Sequence, residues 1–263
     1  MRSIPLQAAL TLALALSISC SKKKDDNTPK APNAYALGTN NNLLAFHTSN
    51  PATVTGREIT GLQGGEQLLG IDFRLSDGML YGVGSTSRLY QINTSTGAAT
   101  MVGPGPFPEL LANSYYGIDF NPVADRLRVV NIADLNLRLN PANGSLAGKD
   151  VNITPGATAI SAIAYANNYS GAASTVLYGI EASTGRLFRL DNPNGGILTL
   201  VGKLGETADA ADGFDIVGQD NKAYALFRSV GTKLYRIDLQ TGAATVAGDF
   251  PMTVKGLALV PGQ

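Results

Sequence analysis

"GIDF" stands at residues 70–73 and again at 117–120, and "GFDI" at 213–216 is a near-copy. Weaker copies complete a series, "AIAY" at 162–165 and "GLAL" at 256–259. Repetition at a near-constant period means that one supersecondary unit is used several times, each copy too small to bury its apolar face alone.

Working outward from these tetrapeptides, a second run follows each of the first four and also opens the array. It reads "AYALG" (34–38), "LYGVG" (80–84), "LRVVN" (127–131), "LYGIE" (177–181) and "AYALF" (223–227), at intervals of 46, 47, 50 and 46 residues. Next come "LLAFHT" (43–48), "RLYQIN" (88–93), "NLRLNP" (136–141), "RLFRLD" (186–191) and "KLYRID" (233–238). In four units a turn then carries Gly where the chain needs positive φ: "STG" (95–97), "ANG" (142–144), "PNG" (193–195) and "QTG" (240–242). The final runs are "REITGL" (57–62), "AATMVG" (98–103), "KDVNIT" (149–154), "ILTLVG" (197–202) and "AATVAG" (243–248). Several alternate polar with apolar residues, the period of a strand packed on one face.

Each full unit thus holds four strands, with the tetrapeptide strand leading. The first unit lacks its leader, whereas "GLALV" (256–260) is a leader with nothing after it. A linear array or a β-sandwich would leave these half-units as open sheet edges that invite aggregation. A ring joins them. The sequence therefore predicts an all-β five-bladed β-propeller, closed by pairing of residues 256–260 with the N-terminal blade. In that fold "GIDF" is the innermost strand. Its Gly lets backbones crowd at the axis, and its Ile and Phe fill the gap between neighbouring sheets.

Composition agrees. Gly numbers 30, Trp is absent, and 44% of the 263 residues are apolar against 15% charged, as expected of many short strands separated by turns. Twenty basic residues balance twenty acidic ones. Without a basic excess to attract a phosphate backbone, nucleic acid is not an expected partner.

The first twenty residues, "MRSIPLQAALTLALALSISC", place one Arg before an apolar stretch from Ile4 to Ile18, with small residues leading on to the sole cysteine, Cys20. That stretch falls short of the ~20 residues of a spanning helix and suits a signal-peptide core. "SISC" resembles a bacterial lipoprotein signal, although Ser17 stands where that signal usually has Leu. The resemblance implies cleavage before Cys20 and a lipid on its thiol; a cleaved secretory peptide with an incidental cysteine is the alternative. A lone cysteine has no disulfide partner, and several acyl chains hold a bilayer firmly. "SKKKDDNTPKAPN" (21–33) has no large apolar residue to bury and reads as a disordered tether. The "CSKKKDD" start is similar to that of Bacteroidetes lipoproteins displayed on the outer surface. The expected division is a signal at 1–19, lipidated Cys20 with its tether at 20–33, and one propeller at 34–263. The expected location is the outer membrane of a bacterial envelope.

Two longer strings, "YGIDFNPVADRLRVVNIADLNLRLNPANG" (116–144) and "VLYGIEASTGRLFRLDNPNGGILTLVGKLG" (176–205), resemble the bacterial family DUF4394. The likeness runs from about Leu37 to Pro261. It implies a secreted, propeller-like domain and supplies no catalytic residues.

Candidate chemistry comes from the leading strands. Asp72, Asp119 and Asp215 share one position in three blades; Ala164 and Ala258 hold it in the other two. Three carboxylates near one axis suit a hard cation such as Ca²⁺, and a pair could serve a glycosidase as acid and base. The structural alternative is that each Asp caps backbone amides or pairs with a basic residue between blades. Arg126, Arg128 and Arg138 could grip an anion bidentately or form an ion-pair lattice with Asp119, Asp125 and Asp134. Tyr115 and Tyr116 are candidates for stacking on a sugar. His47, the only histidine, leaves no histidine-rich zinc site and reads as a surface strand residue. No G-x-S-x-G occurs, and "GVGSTS" (82–87) lacks the third Gly of a dinucleotide loop. "DAADGFD" (209–215) reads as a polar connection between blades. The functional expectation is a lipid-anchored binding or scaffold module for a glycan, peptide or protein. The alternative is a hydrolase or lyase acting on carbohydrate-like substrates in the channel, with Ca²⁺ as a possible cofactor.

Overall fold

The computed structural model describes Met1 and residues 30–111, 115–153 and 159–262. Two units separate, Met1–Lys30 and Ala31–Gln263. The expected signal, Cys20 and most of the tether lie outside the described residues.

Among the described residues, twenty strands form five antiparallel sheets of four. Blade 1 holds β1 (Ala34–Gly38), β2 (Asn42–His47) and β3 (Asn50–Glu58), and blade 2 holds β4 (Leu68–Phe73), β5 (Leu80–Gly84), β6 (Leu89–Ile92) and β7 (Ala99–Val102). Blade 3 comprises β8 (Tyr116–Asn121), β9 (Arg126–Asn131), β10 (Asn136–Leu139) and β11 (Leu146–Lys149). In blade 4 these places fall to β12 (Ala162–Tyr165), β13 (Leu177–Glu181), β14 (Arg186–Leu190) and β15 (Thr199–Lys203). Blade 5 has β16 (Ala210–Val217), β17 (Lys222–Ser229), β18 (Gly231–Ile237) and β19 (Ala244–Phe250).

The last strand, β20 (Val254–Leu259), is the inner strand of blade 1. It pairs antiparallel with β1, setting Leu259 opposite Ala34, Ala258 opposite Tyr35 and Leu257 opposite Ala36. The first and last described strands thus share one sheet. The five-bladed propeller is closed as the half-units require.

Five apolar clusters fill the five gaps between neighbouring blades. Between blades 1 and 2, Leu37 and Leu43 meet Ile71, Phe73 and Tyr90. Across the closing gap, Leu226 and Leu234 of blade 5 meet Phe46, Leu257 and Leu259 of blade 1. Strand alternation makes this possible, because successive residues of one sheet serve the blade on either side. Leu80 and Ile92 face blade 1, whereas Tyr81, Val83 and Leu89 face blade 3. Each buried Leu, Ile or Phe contributes about 1.5–3 kcal/mol, and the closing gap has its own set of them.

Three boundaries differ from the sequence reading. The outer strand of blade 1 is residues 50–58 rather than "REITGL", following β2 after a two-residue turn. Ile59 instead packs into the gap toward blade 2, and Thr60 bridges in parallel to Ala98. In blade 3 the outer strand is 146–149, ahead of "KDVNIT"; the alternation there reflects Ile153 covering the gap to blade 4. "DAADGFD" is not a connection, since β16 runs through it from Ala210 with an irregularity between Ala211 and Gly213.

Candidate axial site

The five inner strands surround the axis in register. Gly70, Gly117, Ala162, Gly213 and Gly256 form a ring of small residues. A Cβ on Gly117 would lie 2.8 Å from the Ile163 amide nitrogen, inside any real contact. This close approach brings each inner strand within reach of the next. Two residues on, at the position of Asp72, Asp119 and Asp215, a carboxylate on the same strand face spans the gap.

Asp72 Oδ1 accepts the Phe73 amide (2.7 Å) and Oδ2 the Phe120 amide of blade 3 (2.6 Å). Asp215 repeats the pattern, taking the Ile216 amide and the Leu259 amide of blade 1, both at 2.6 Å. Asp119 Oδ1 accepts the Tyr165 amide of blade 4 at 3.0 Å. One inner-strand amide per blade is thereby satisfied: Phe73, Phe120, Tyr165, Ile216 and Leu259. Three carboxylates can serve five amides because two of them bond both their own strand and the neighbour, which relieves the blades carrying Ala164 and Ala258 of the task. Such bonds contribute about 0.5–1.5 kcal/mol each to a neutral acceptor and about 1.5–3 kcal/mol to an ionised one.

One oxygen is left over. Asp119 Oδ2 is buried and has no hydrogen-bond partner among the described residues. All three aspartates are only 1% exposed, and one oxygen from each lies within 4.8 Å of the others. Burial pushes their carboxyls well above the ordinary range, with mutual repulsion raising Asp72 and Asp119 further. The expectation that these side chains cap amides between blades and the expectation that they gather on the axis hold together. Five blades leave so narrow a ring that a bridging carboxylate is also an axial one.

The passage at the ring of small residues has a free volume of about 10 Å³, near the lower limit for one water. Tyr116 and Lys255 line it. Burial lowers the pKa of the Lys255 amine, which donates to the Thr39 carbonyl at 3.4 Å. The equivalent inner-strand position in blade 5 is Asp212, buried and joined to Arg228 Nε at 3.2 Å. Burial pushes Asp212 up to about 6 against the pull of Arg228. A roomier cleft of about 200 Å³ lies where inner strands end, lined by Leu75 and Ser76, by Asn121, Pro122 and Asp125, and by Ser170 and Gly171.

The arginines part company. Arg128 is buried and fully engaged: Nε donates to Tyr165 OH (2.6 Å), and Nη1 donates to Asp150 (3.1 Å) and to Asn136. Its Nη2 reaches Asn194 at 2.6 Å. Arg138, opposite it in the sheet, grips Asp150 bidentately with both contacts at 2.7 Å. Burial alone would raise Asp150, but these two guanidiniums hold it below its ordinary value. The lattice exists, with a different acid from those expected. Asp119 faces the axis, and Asp125 is held by Arg74 of blade 2 at 2.8 Å. Arg126 donates to the Asp125 carbonyl (2.8 Å). Taking Asp150 away from Arg128 and Arg138 would strand a buried charge.

Tyr116 is buried in the gap between blades 2 and 3, so it offers no open face for stacking. Tyr115 is half-buried and its hydroxyl accepts from Arg228 at 3.4 Å. His47 ends β2, its Nδ1 accepting the Ser49 amide at 3.1 Å. Sequence reasoning did not single out Asp150, Asp212 or Lys255. The last two could have been found by reading one residue upstream of each leading Gly.

An all-β ring with a carboxylate-tied axis defines the class as a five-bladed propeller. The chain belongs to the family described as a domain of unknown function, DUF4394, which matches residues 42–258. Among solved structures it is similar to a structural-genomics protein of unknown function from Bacteroides thetaiotaomicron, with 14% identity, TM-score 0.51, and coverage of 89% of this chain and 65% of that one. Virginiamycin B lyase from Staphylococcus aureus is similar at 14% identity and TM-score 0.47, covering 84% and 70%. The Dos1 propeller follows at 13% identity and TM-score 0.45, covering 81% and 57%. Likeness at these identities concerns fold alone. No curated protein matches the chain.

Proposed function

We propose that this chain is a non-enzymatic binding propeller of the bacterial cell envelope, anchored by lipid on Cys20 and seating a polar ligand, a glycan or a peptide, at one end of its axis. The observation that carries this reading is the commitment of the axial carboxylates. Five of their six oxygens are bonded to backbone amides, and the passage above them is too small for a sugar. A glycosidase needs two carboxyls open to substrate, with room between them for a sugar and, in inverting enzymes, a water. The axial aspartates lack that room.

Space for a ligand lies instead in the cleft beside Ser76, Asn121 and Ser170. It is smaller than the ~300 Å³ of a typical drug-sized pocket and suits an end group or one side chain of a larger partner. A glycan array and an envelope pull-down with the chain test this, comparing Ser170→Trp, which fills the cleft, with Tyr115→Ala at the opposite end. Capture lost in the first and kept in the second supports the reading. Capture of nothing, or turnover of an arrayed sugar, contradicts it. Radiolabelled palmitate incorporated by the chain and absent from Cys20→Ser tests the anchor.

A further inference from the structure

We propose that Asp72, Asp119 and Asp215 together bind one calcium ion on the propeller axis. The first ground is the leftover oxygen. The five inner amides consume five carboxylate oxygens, and the sixth, Asp119 Oδ2, is buried without a hydrogen-bond donor. Buried polar groups without partners are rare in native proteins, and each one points to an ion, a water or a proton. Charge is the second ground. Three carboxylates are almost wholly removed from solvent, and among the described residues no Lys or Arg forms an ion pair with any of them. Buried charges are paired or coordinate metals.

Coordination chemistry selects the ion. One oxygen from each aspartate lies within 4.8 Å of the others, close enough to gather around one cation. Oxygens held in place by backbone amides suit Ca²⁺, which accepts irregular geometry, better than Mg²⁺, which demands a near-ideal octahedron. Oxygen-only donors suit a hard cation. Each oxygen that already accepts an amide keeps a second lone pair for the metal, so binding need not break the ties between blades. The ring of small residues lies two residues along each strand, roughly 7 Å away, and its passage of about 10 Å³ admits a water or a bare ion.

Thermal unfolding of the full-length chain, stripped with chelator and then titrated with CaCl₂ or MgCl₂, tests the site alongside metal analysis by mass spectrometry. Asp119→Asn is the informative variant: its Oδ1 still accepts the Tyr165 amide while the free carboxylate oxygen is lost, so the fold is retained. The expected result is one calcium per chain and a Tm rise of roughly 5–10 °C at about a hundredfold excess over Kd. Magnesium should give a smaller rise and Asp119→Asn none. A chain that takes up no calcium overturns the proposal, because the carboxyls then share protons instead. A rise that survives in Asp119→Asn overturns it too, by placing calcium elsewhere.

Discussion

Asp215 accepts the Leu259 amide at 2.6 Å, which ties the inner strand of blade 5 to the strand that ends the chain. The contact joins residues 44 positions apart across the gap where the ring closes. Asp72 and Phe120 make the same contact between blades 2 and 3, and Asp119 and Tyr165 make it between blades 3 and 4. The recurring "GIDF" is therefore a connector: Gly admits the neighbouring strand, Ile packs in the gap behind, and Asp bonds to the strand ahead.

The three carboxylates should respond unequally to amidation. In Asp72→Asn or Asp215→Asn the new NH₂ faces an amide N–H, so one of two bonds is lost at a cost of about 1.5–3 kcal/mol. In Asp119→Asn the one existing bond survives and a buried charge disappears. Urea unfolding in chelator should find the first two destabilised and the third neutral or more stable than the parent. Equal losses in all three would contradict the bond assignment.

Close approach at the axis makes a second contrast. A Cβ at Gly117 meets backbone, 2.8 Å from Ile163 N, whereas at Gly70 it meets the side-chain end of Ile118, at 2.7 Å from Cδ1. A side chain can rotate away; a strand backbone cannot. Gly117→Ala should therefore cost more than Gly70→Ala, by about 1 kcal/mol or more on the scale of overpacked cores. Matching Tm values for the two variants would refute the argument.

Asp212 supplies a pH signature. Its folded pKa, pushed up to about 6, exceeds an unfolded value near 4. Its protonated form is thus favoured in the fold, and the stability this adds is full below about pH 4 and lost as pH rises through about 6. Asp212→Asn should flatten that decline in unfolding free energy between pH 4 and 7. An unchanged slope would show that Asp212 does not titrate there.

The ring was legible because its signal is periodic. Unit length, the missing first leader and the surplus last one depend only on order along the chain. Outer strands were less legible because their exposed faces tolerate any residue, as the shifts in blades 1 and 3 show. The partner of Arg128 was not legible at all. Asp119, Asp125 and Asp134 are its neighbours in sequence, but Asp150 lies just beyond the outer strand of the same blade, and pairing across a sheet brings it to the guanidinium. The axial aspartates were half legible: the repeat gave their shared position, with an axial role and a capping role as alternatives, and only the narrowness of a five-membered ring makes the two coincide.

Native-state hydrogen exchange at the amides of Phe73, Phe120, Tyr165, Ile216 and Leu259 tests most directly whether the wheel is one closed, carboxylate-tied unit. All five should exchange at a common rate, among the slowest in the chain and set by global unfolding. Leu259 is decisive because it lies in the terminal strand. Exchange there orders of magnitude faster than at Phe120 would mean that the last strand frays and that the ring is open.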